Sequence, residues 1–87
     1  MKLVILYHPQ SEFSRSVEEY AHDFERTRGK AIELVSLDTA GGSDMAKLYD
    51  IVQYPALLAL RDDGQLLQKW EGARLPLMDE VAGYLAQ

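Results

Sequence analysis

The sequence of 87 residues predicts one α/β domain over residues 1–87, with helices covering both faces of a mixed four-stranded sheet in a three-layer fold. Two short apolar runs, Lys2–Tyr7 and Ala56–Leu60, are typical of central strands buried on both faces. An Asp-Asp-Gly turn at 62–64 follows the second run and predicts an antiparallel hairpin, because glycine supplies the positive φ that such turns need. The segment after the first run predicts a strand–helix–strand unit, whose connection is right-handed in nearly all sheets.

The first half of the chain is predicted to form strand, helix and strand. After the first strand, His8 and Pro9 break the pattern, and Ser11 is a candidate N-cap for the helix. Gly29 predicts the end of this helix, and residues 31–37 form the second strand. One helical face carries apolar residues at helical spacing: Phe13, Val17, Tyr20, Ala21 and Phe24.

The segment before the hairpin predicts a short helix, and the hairpin ends in an edge strand. Ser43 is a candidate N-cap for a helix over 44–49, with Met45 and Leu48 facing inward. The edge strand covers 65–71, where charged side chains discourage further pairing.

A final helix closes the chain and completes the order β-α-β-α-β-β-α. Pro76 suits its first turn. Its apolar face contains Leu77, Val81, Tyr84 and Leu85, with Met78 beside it. The predicted strand order in the sheet is 2-1-3-4, with the first two strands parallel and the third antiparallel to the first.

Composition and charge exclude several classes of function. The formal net charge of −5 argues against nucleic acid or an anionic membrane as a partner. The chain contains no cysteine, which excludes a disulfide scaffold, a thiolate metal site and thiol catalysis. The sequence shows no targeting segment and no run long enough to span a membrane, so we expect a cytoplasmic protein. We also expect it to be a monomer and to bind no cofactor.

The order of elements and the stretch 49–72 resemble the thioredoxin superfamily in its short, glutaredoxin-like form. The matching features are the apolar pair at 51–52, a step through Gln53 and Tyr54 to Pro55, the apolar strand, the Asp-Gly turn and a strand that closes on a glycine. The resemblance covers essentially the whole chain. It implies that the Tyr54–Pro55 peptide bond is cis and faces the loop between the first strand and the first helix.

The same resemblance places the redox motif of that family, Cys-x-x-Cys, on residues 11–14, where Ser11 and Ser14 replace both cysteines. A serine hydroxyl is far less acidic than a thiol and cannot form a disulfide, so dithiol exchange is excluded. The buried acid of thioredoxins would fall near Ile5, where this sequence has no acidic residue. The stretch that binds glutathione in glutaredoxins corresponds to Gly-Ala-Arg at 72–74 and matches only its first glycine, so we expect no glutathione binding.

The loop after the first strand contains candidates for chemistry. Ser11 with His8 as its base is a candidate nucleophile, but helix capping is the simpler role because the sequence places no orienting acid. His8, Glu12 and His22 are a candidate metal set, but His22 lies well along the helix, so we expect no metal site. The helix start with Ser11 and Ser14 is a candidate anion site, which the charge of Glu12 opposes.

The step from Tyr54 to Pro55 motivates the main functional hypothesis. In the family, the backbone beside the cis-proline pairs with an extended peptide or with glutathione, and this pairing needs no cysteine. We therefore predict a redox-inactive domain whose partner-binding residues are His8, Glu12, Phe13, Tyr54 and Pro55. The competing interpretation is that Phe13 packs in the core and Pro55 only shapes a turn.

Two alternative functions stay open at this point. An enzyme of the same fold could use serine in place of cysteine in a glutathione- or thiol-linked reaction, as some glutathione transferases activate glutathione with a hydroxyl. The two serines could also be engineered replacements for the cysteines of a thiol–disulfide oxidoreductase.

Overall fold

The computed structural model describes residues 1–86. Within this range the chain forms four strands, three α-helices and a final 3₁₀ turn. In chain order these are β1 (Lys2–Tyr7), α1 (Ser14–Arg28), β2 (Ile32–Ser36), α2 (Ala40–Leu48), β3 (Ala56–Leu60), β4 (Leu66–Glu71), α3 (Met78–Ala82) and the 3₁₀ turn Gly83–Ala86. None of these helices is long and apolar enough to cross a membrane.

The four strands form one mixed sheet in the order β2-β1-β3-β4, which confirms the predicted topology. β1 is parallel to β2 and antiparallel to β3, and β3 is antiparallel to β4. β3 is buried along its whole length, and β1 is buried from Leu3 onward. Central positions in a sheet covered on both faces explain why both strands read as continuous apolar runs.

The core lies in two clusters, one on each face of the sheet. Successive strand residues point to opposite faces, so Leu3 and Ile5 pack under α1 and α3 while Val4 and Leu6 pack under α2. Residues outside the sheet complete each cluster: Val17, Phe24 and Val81 from the helices on the first face, and Ala46 of α2 and Ile51 of the segment after it on the second.

β4 contains a bulge near the hairpin. Ala59 lies opposite Gln68, but Leu60 lies opposite Leu66, so Leu67 is an extra residue on the edge strand. Leu66 packs against the cluster under α2, whereas Leu67 packs against the cluster on the other face. The bulge therefore places Leu66 and Leu67 in the apolar clusters on opposite faces of the sheet.

The predicted start of α1 is wrong, because Ser11 is not its N-cap. α1 begins at Ser14, and Phe13 holds the N-cap position without a side-chain cap. The Ser11 hydroxyl instead donates to the carbonyl oxygen of His8 at 2.7 Å and accepts from the Phe13 N–H at 3.3 Å. It stabilises a tight turn before the helix. The end is as predicted, with Gly29 in the left-handed conformation at φ 72°.

The predicted start of α2 is also wrong. Thr39, not Ser43, is its N-cap, and the Thr39 hydroxyl accepts from the N–H of Gly42 at 3.0 Å. α2 can begin this early because its first turn packs directly on the end of β2. A Cβ atom at Gly42 would lie 2.0 Å from the carbonyl oxygen of Ser36. Leu48, predicted to face inward, is 73% exposed.

The last helix begins later than predicted. Leu77 is its N-cap and is 77% exposed, so its assignment to the apolar face is wrong. Pro76 lies before the helix rather than in its first turn, and its carbonyl oxygen accepts from the Tyr20 hydroxyl at 2.8 Å. Val81 is buried, and Met78, Tyr84 and Leu85 pack against the same cluster.

Candidate functional site

The antiparallel pairing of β1 with β3 brings two distant segments to one rim of the sheet. Leu6 near the end of β1 lies opposite Ala56 at the start of β3, so the loop 8–13 and the segment 49–55 leave the sheet side by side. The two segments meet through His8 and Tyr54, whose ring centroids are 5.6 Å apart at an interplanar angle of 77°. This edge-to-face geometry is a favourable arrangement for two aromatic rings.

The other predicted site residues at this rim differ in how far they are exposed. Glu12 is exposed, and Phe13 is half-buried at the start of α1. The Tyr54–Pro55 peptide bond is cis, and Pro55 is buried. The carbonyl oxygen of Pro55 accepts from the N–H of Gly72 at 3.0 Å. Pro55 is therefore part of the support under Tyr54 and offers little surface of its own.

His8 has an acidic partner that the sequence analysis missed. Its Nδ1 atom lies 3.3 Å from Oδ1 of Asp38, in the turn between β2 and α2. The parallel pairing of β1 and β2 was the available signal, because the ends of parallel strands share one rim. The hydroxyl of Ser11 points its proton at the backbone carbonyl of His8, so it is not delivered to the imidazole as a nucleophile's would be.

A groove of about 490 Å³ opens between α2 and these two segments. The Tyr54 hydroxyl stands at one side of it and donates to the carbonyl oxygen of Ile51 at 3.1 Å. The groove therefore has one aromatic side and a mixed lining in which polar and charged groups are as prominent as apolar ones. Its lining consists of His8, Leu37, Ser43, Ala46, Lys47, Asp50, Ile51 and Tyr54.

The end of α2 shapes the next wall of the groove. Asp50 has φ 57°, a left-handed conformation that glycine usually supplies at helix ends. The N–H of Ile51 returns to the carbonyl oxygen of Ala46 at 2.8 Å, and that of Asp50 to Lys47 at 3.3 Å. This pattern directs Ile51 into the core and leaves Asp50 exposed at the groove.

Two side chains of the edge strand hold the segment that precedes Tyr54. Oε1 of Glu71 accepts from the N–H groups of Val52 at 2.8 Å and Gln53 at 3.1 Å. Nζ of Lys69 donates to the carbonyl oxygens of Tyr49 at 3.3 Å and Asp50 at 3.0 Å. The hydrogen bonds from the Val52 and Gln53 backbone, and then the nearby Lys69, lower the pKa of Glu71.

The candidate metal set does not converge. His22 lies exposed on α1, beside Arg15, Glu18, Glu19 and Asp23. Among residues 1–86, no three His, Asp or Glu side chains are arranged to hold a metal ion.

The comparisons with known proteins identify the fold. No protein-family model matches the sequence, and no curated protein matches it. Thioredoxin 1 from Thermosipho africanus is similar in structure, with a TM-score of 0.69, 10% identity and coverage of 99% of this chain and 91% of that chain. A thioredoxin from Thermus thermophilus gives 0.60, 16% identity and coverage of 97% and 69%.

A third similar structure is a chain from the complex of ferredoxin:thioredoxin reductase with thioredoxin f2. It gives a TM-score of 0.66 with 16% identity, over 98% of this chain and 76% of that chain. The chain therefore has the fold of the thioredoxin superfamily. It has this fold without any cysteine.

Proposed function

We propose that this chain is a redox-inactive thioredoxin-like domain that binds a peptide or protein partner at the rim formed by loop 8–14 and Tyr54. Its 87 residues include no cysteine, so the chain has no thiol for disulfide exchange. The observation that supports a binding role is the contact between the rings of His8 and Tyr54, at 5.6 Å, beside an open groove.

The backbone of Tyr54 supports an extended peptide as the ligand. Among residues 1–86, no hydrogen bond uses the N–H or the carbonyl oxygen of Tyr54. An extended peptide can pair with such free groups through its main chain, as it does when it adds to a sheet edge. Side-chain selectivity would come from the groove, where Tyr54 supplies aromatic surface and Lys47 and Asp50 supply charge.

Peptide selection from a random display library tests this proposal. We expect Tyr54→Ala to weaken a selected peptide by about thirtyfold, because truncating an aromatic anchor costs about 2 kcal/mol or more. Asp63→Ala is the control, since Asp63 lies in the β3–β4 turn at the opposite rim. Titration calorimetry and amide shifts give the readout. Peptide-induced shifts that map to residues 62–64 and spare Phe13 and Tyr54 would contradict the proposal.

The geometry gives no support to a glutathione- or thiol-linked enzyme that uses Ser11. The Ser11 hydroxyl is already engaged as donor to the His8 carbonyl and as acceptor from the Phe13 N–H. Activation of a bound thiol would need that hydroxyl to be free to donate. Titration with reduced glutathione, followed by amide shifts, separates the two functions, and we expect no saturable shifts near Ser11.

A further inference from the structure

The segment 49–54 carries Tyr54 to the rim without helix or strand of its own. It follows α2 and ends at the start of β3. A segment of this kind is usually mobile unless its backbone groups have partners. Here four of its residues have backbone groups bound by side chains of one strand, β4.

Lys69 and Glu71 bind different backbone groups of the segment, according to their charge. The ammonium group of Lys69 takes the carbonyl oxygens of Tyr49 and Asp50, and the carboxylate of Glu71 takes the N–H groups of Val52 and Gln53. Nζ of Lys69 also lies 3.5 Å from Oε2 of Glu71. Hydrogen bonds with a charged partner are about twice as strong as neutral ones.

The sheet itself does not require these two side chains. β4 pairs with β3 through its backbone, with Lys69 opposite Leu58 and Glu71 opposite Ala56. Alternation along a strand puts residues 69 and 71 on one face, and that face is the one covered by α2 and the segment. Both side chains are mostly shielded, with 31% and 21% of their surface exposed, unlike the freely solvated charges of an ordinary edge strand.

We infer that Lys69 and Glu71 form a clamp that positions residues 49–54, and thereby sets the Tyr54 ring against His8. Both are positioning residues, since they act on the backbone next to Tyr54 and need not touch a partner. The clamp reaches Gln53, so one peptide unit separates it from the residue whose ring contacts His8. Its importance for binding rests on the proposed function, whereas its effect on the free chain does not.

Amide hydrogen exchange in the free chain tests the clamp directly. Val52 and Gln53 are exposed residues, and we expect the hydrogen bonds to the Glu71 carboxylate to protect their amides from exchange. We expect Glu71→Ala to speed exchange at both amides at least about tenfold and to weaken the cross-relaxation between the His8 and Tyr54 rings. Glu71→Gln keeps an oxygen acceptor and should restore part of the protection.

Two controls separate positioning from a general loss of stability. Glu33→Gln removes one side of another ion pair between strands, Lys2 with Glu33 at 3.7 Å, and should leave Val52 and Gln53 unchanged. Exchange at the Leu58 amide in β3 reports global opening and should not change with Glu71→Ala. The clamp is refuted if the Val52 and Gln53 amides exchange as in wild type, or if they accelerate only in step with Leu58.

Lys69→Met gives a second, independent test, because methionine keeps most of the aliphatic stem but cannot donate. We expect it to weaken the His8–Tyr54 ring contact as well, and a wild-type contact would count against the clamp. A peptide selected on the wild-type chain should then bind Glu71→Ala about tenfold more weakly, because fewer molecules hold the competent conformation. Unchanged affinity with a disrupted clamp would place the binding site elsewhere and reject the proposed function alone.

Discussion

At the scale of single residues, Asp50 adopts a backbone conformation that favours glycine. Its φ of 57° closes α2, and its side chain lines the groove. We expect Asp50→Gly to raise the free energy of unfolding by about 0.5–1 kcal/mol, because glycine removes the left-handed strain. Urea unfolding measures this, with Asp50→Ala as the strained control that should not gain stability. A loss of stability in Asp50→Gly would show that the carboxylate stabilises the fold.

Ser11 and Ser14 occupy a turn in which a disulfide would fit. The N–H of Ser14 returns to the carbonyl oxygen of Ser11 at 3.3 Å, so the two residues span a tight turn at the start of α1. The two ends of such a turn are less than about 7 Å apart, which is within the range of a disulfide. In air-saturated buffer, where dissolved oxygen is the oxidant, we expect Ser11→Cys with Ser14→Cys to form an intramolecular bridge, detected by mass spectrometry after thiol labelling.

The wild-type chain has no thiol and should reduce insulin no faster than the dithiothreitol blank.

For the disulfide prediction, the double variant Ser11→Cys with Ser16→Cys is the matched control, because Ser16 lies two residues further along α1 and faces another direction. If the 11–14 pair stays open while the 11–16 pair closes, the turn geometry assigned to this loop is wrong.

At the scale of elements, the start of α2 depends on one close approach between helix and strand. A Cβ atom at Gly42 would strike the Ser36 carbonyl, whereas a Cβ atom at Gly41 would have nothing within 4 Å. We expect Gly42→Ala to lower the free energy of unfolding by about 1–3 kcal/mol, as overpacking does. Gly41→Ala, in the first turn of α2, should raise it slightly, by about 0.5 kcal/mol or less, through helix propensity. Equal effects of the two substitutions would contradict this packing.

The hold of β4 on the segment before Tyr54 predicts a dependence of stability on pH. The backbone hydrogen bonds from Val52 and Gln53 keep the pKa of Glu71 below its ordinary value of 4.5. The folded chain therefore releases this proton more readily than the unfolded chain does. The resulting stabilisation is complete above the ordinary pKa and is lost as the pH falls through the folded pKa.

We expect the stability advantage of wild type over Glu71→Gln to shrink as the pH falls from about 6 to about 3. Urea midpoints across this range provide the measurement. An advantage of wild type over Glu71→Gln that stays constant with pH would exclude the charged form of Glu71 as the source of the stabilisation.

At the scale of the whole molecule, the central strands were predictable and the helix starts were not. Lys2–Tyr7 and Ala56–Leu60 are apolar throughout, and burial on both faces leaves few other interpretations. Ser11 and Ser43 are good capping residues in isolation, but Ser11 bonds within its own turn, and packing on Ser36 lets α2 begin earlier. A competing local turn therefore displaces the predicted cap at α1, and a tertiary contact with β2 displaces it at α2.

Some residues of the candidate site were predictable from the sequence and others were not. His8 and Tyr54 could be placed at one rim, because that inference needs only strand order and direction. Asp38, Lys69 and Glu71 contact the site through side chains whose reach depends on register, which the sequence alone did not supply. The groove lies beside α2 and the left-handed residue Asp50 that follows it, and this left-handed end was not predicted.

The bulge at Leu67 decides which face of the sheet each later residue of β4 meets. Side chains along a strand alternate between its two faces, so one extra residue changes the face that each later side chain reaches. Beyond the bulge, this alternation points Lys69 and Glu71 at the segment before Tyr54, while Trp70 packs on the opposite face against Tyr84. A one-residue change in this hairpin must therefore be absorbed by gaining or losing a bulge, or the clamp and the tryptophan exchange faces.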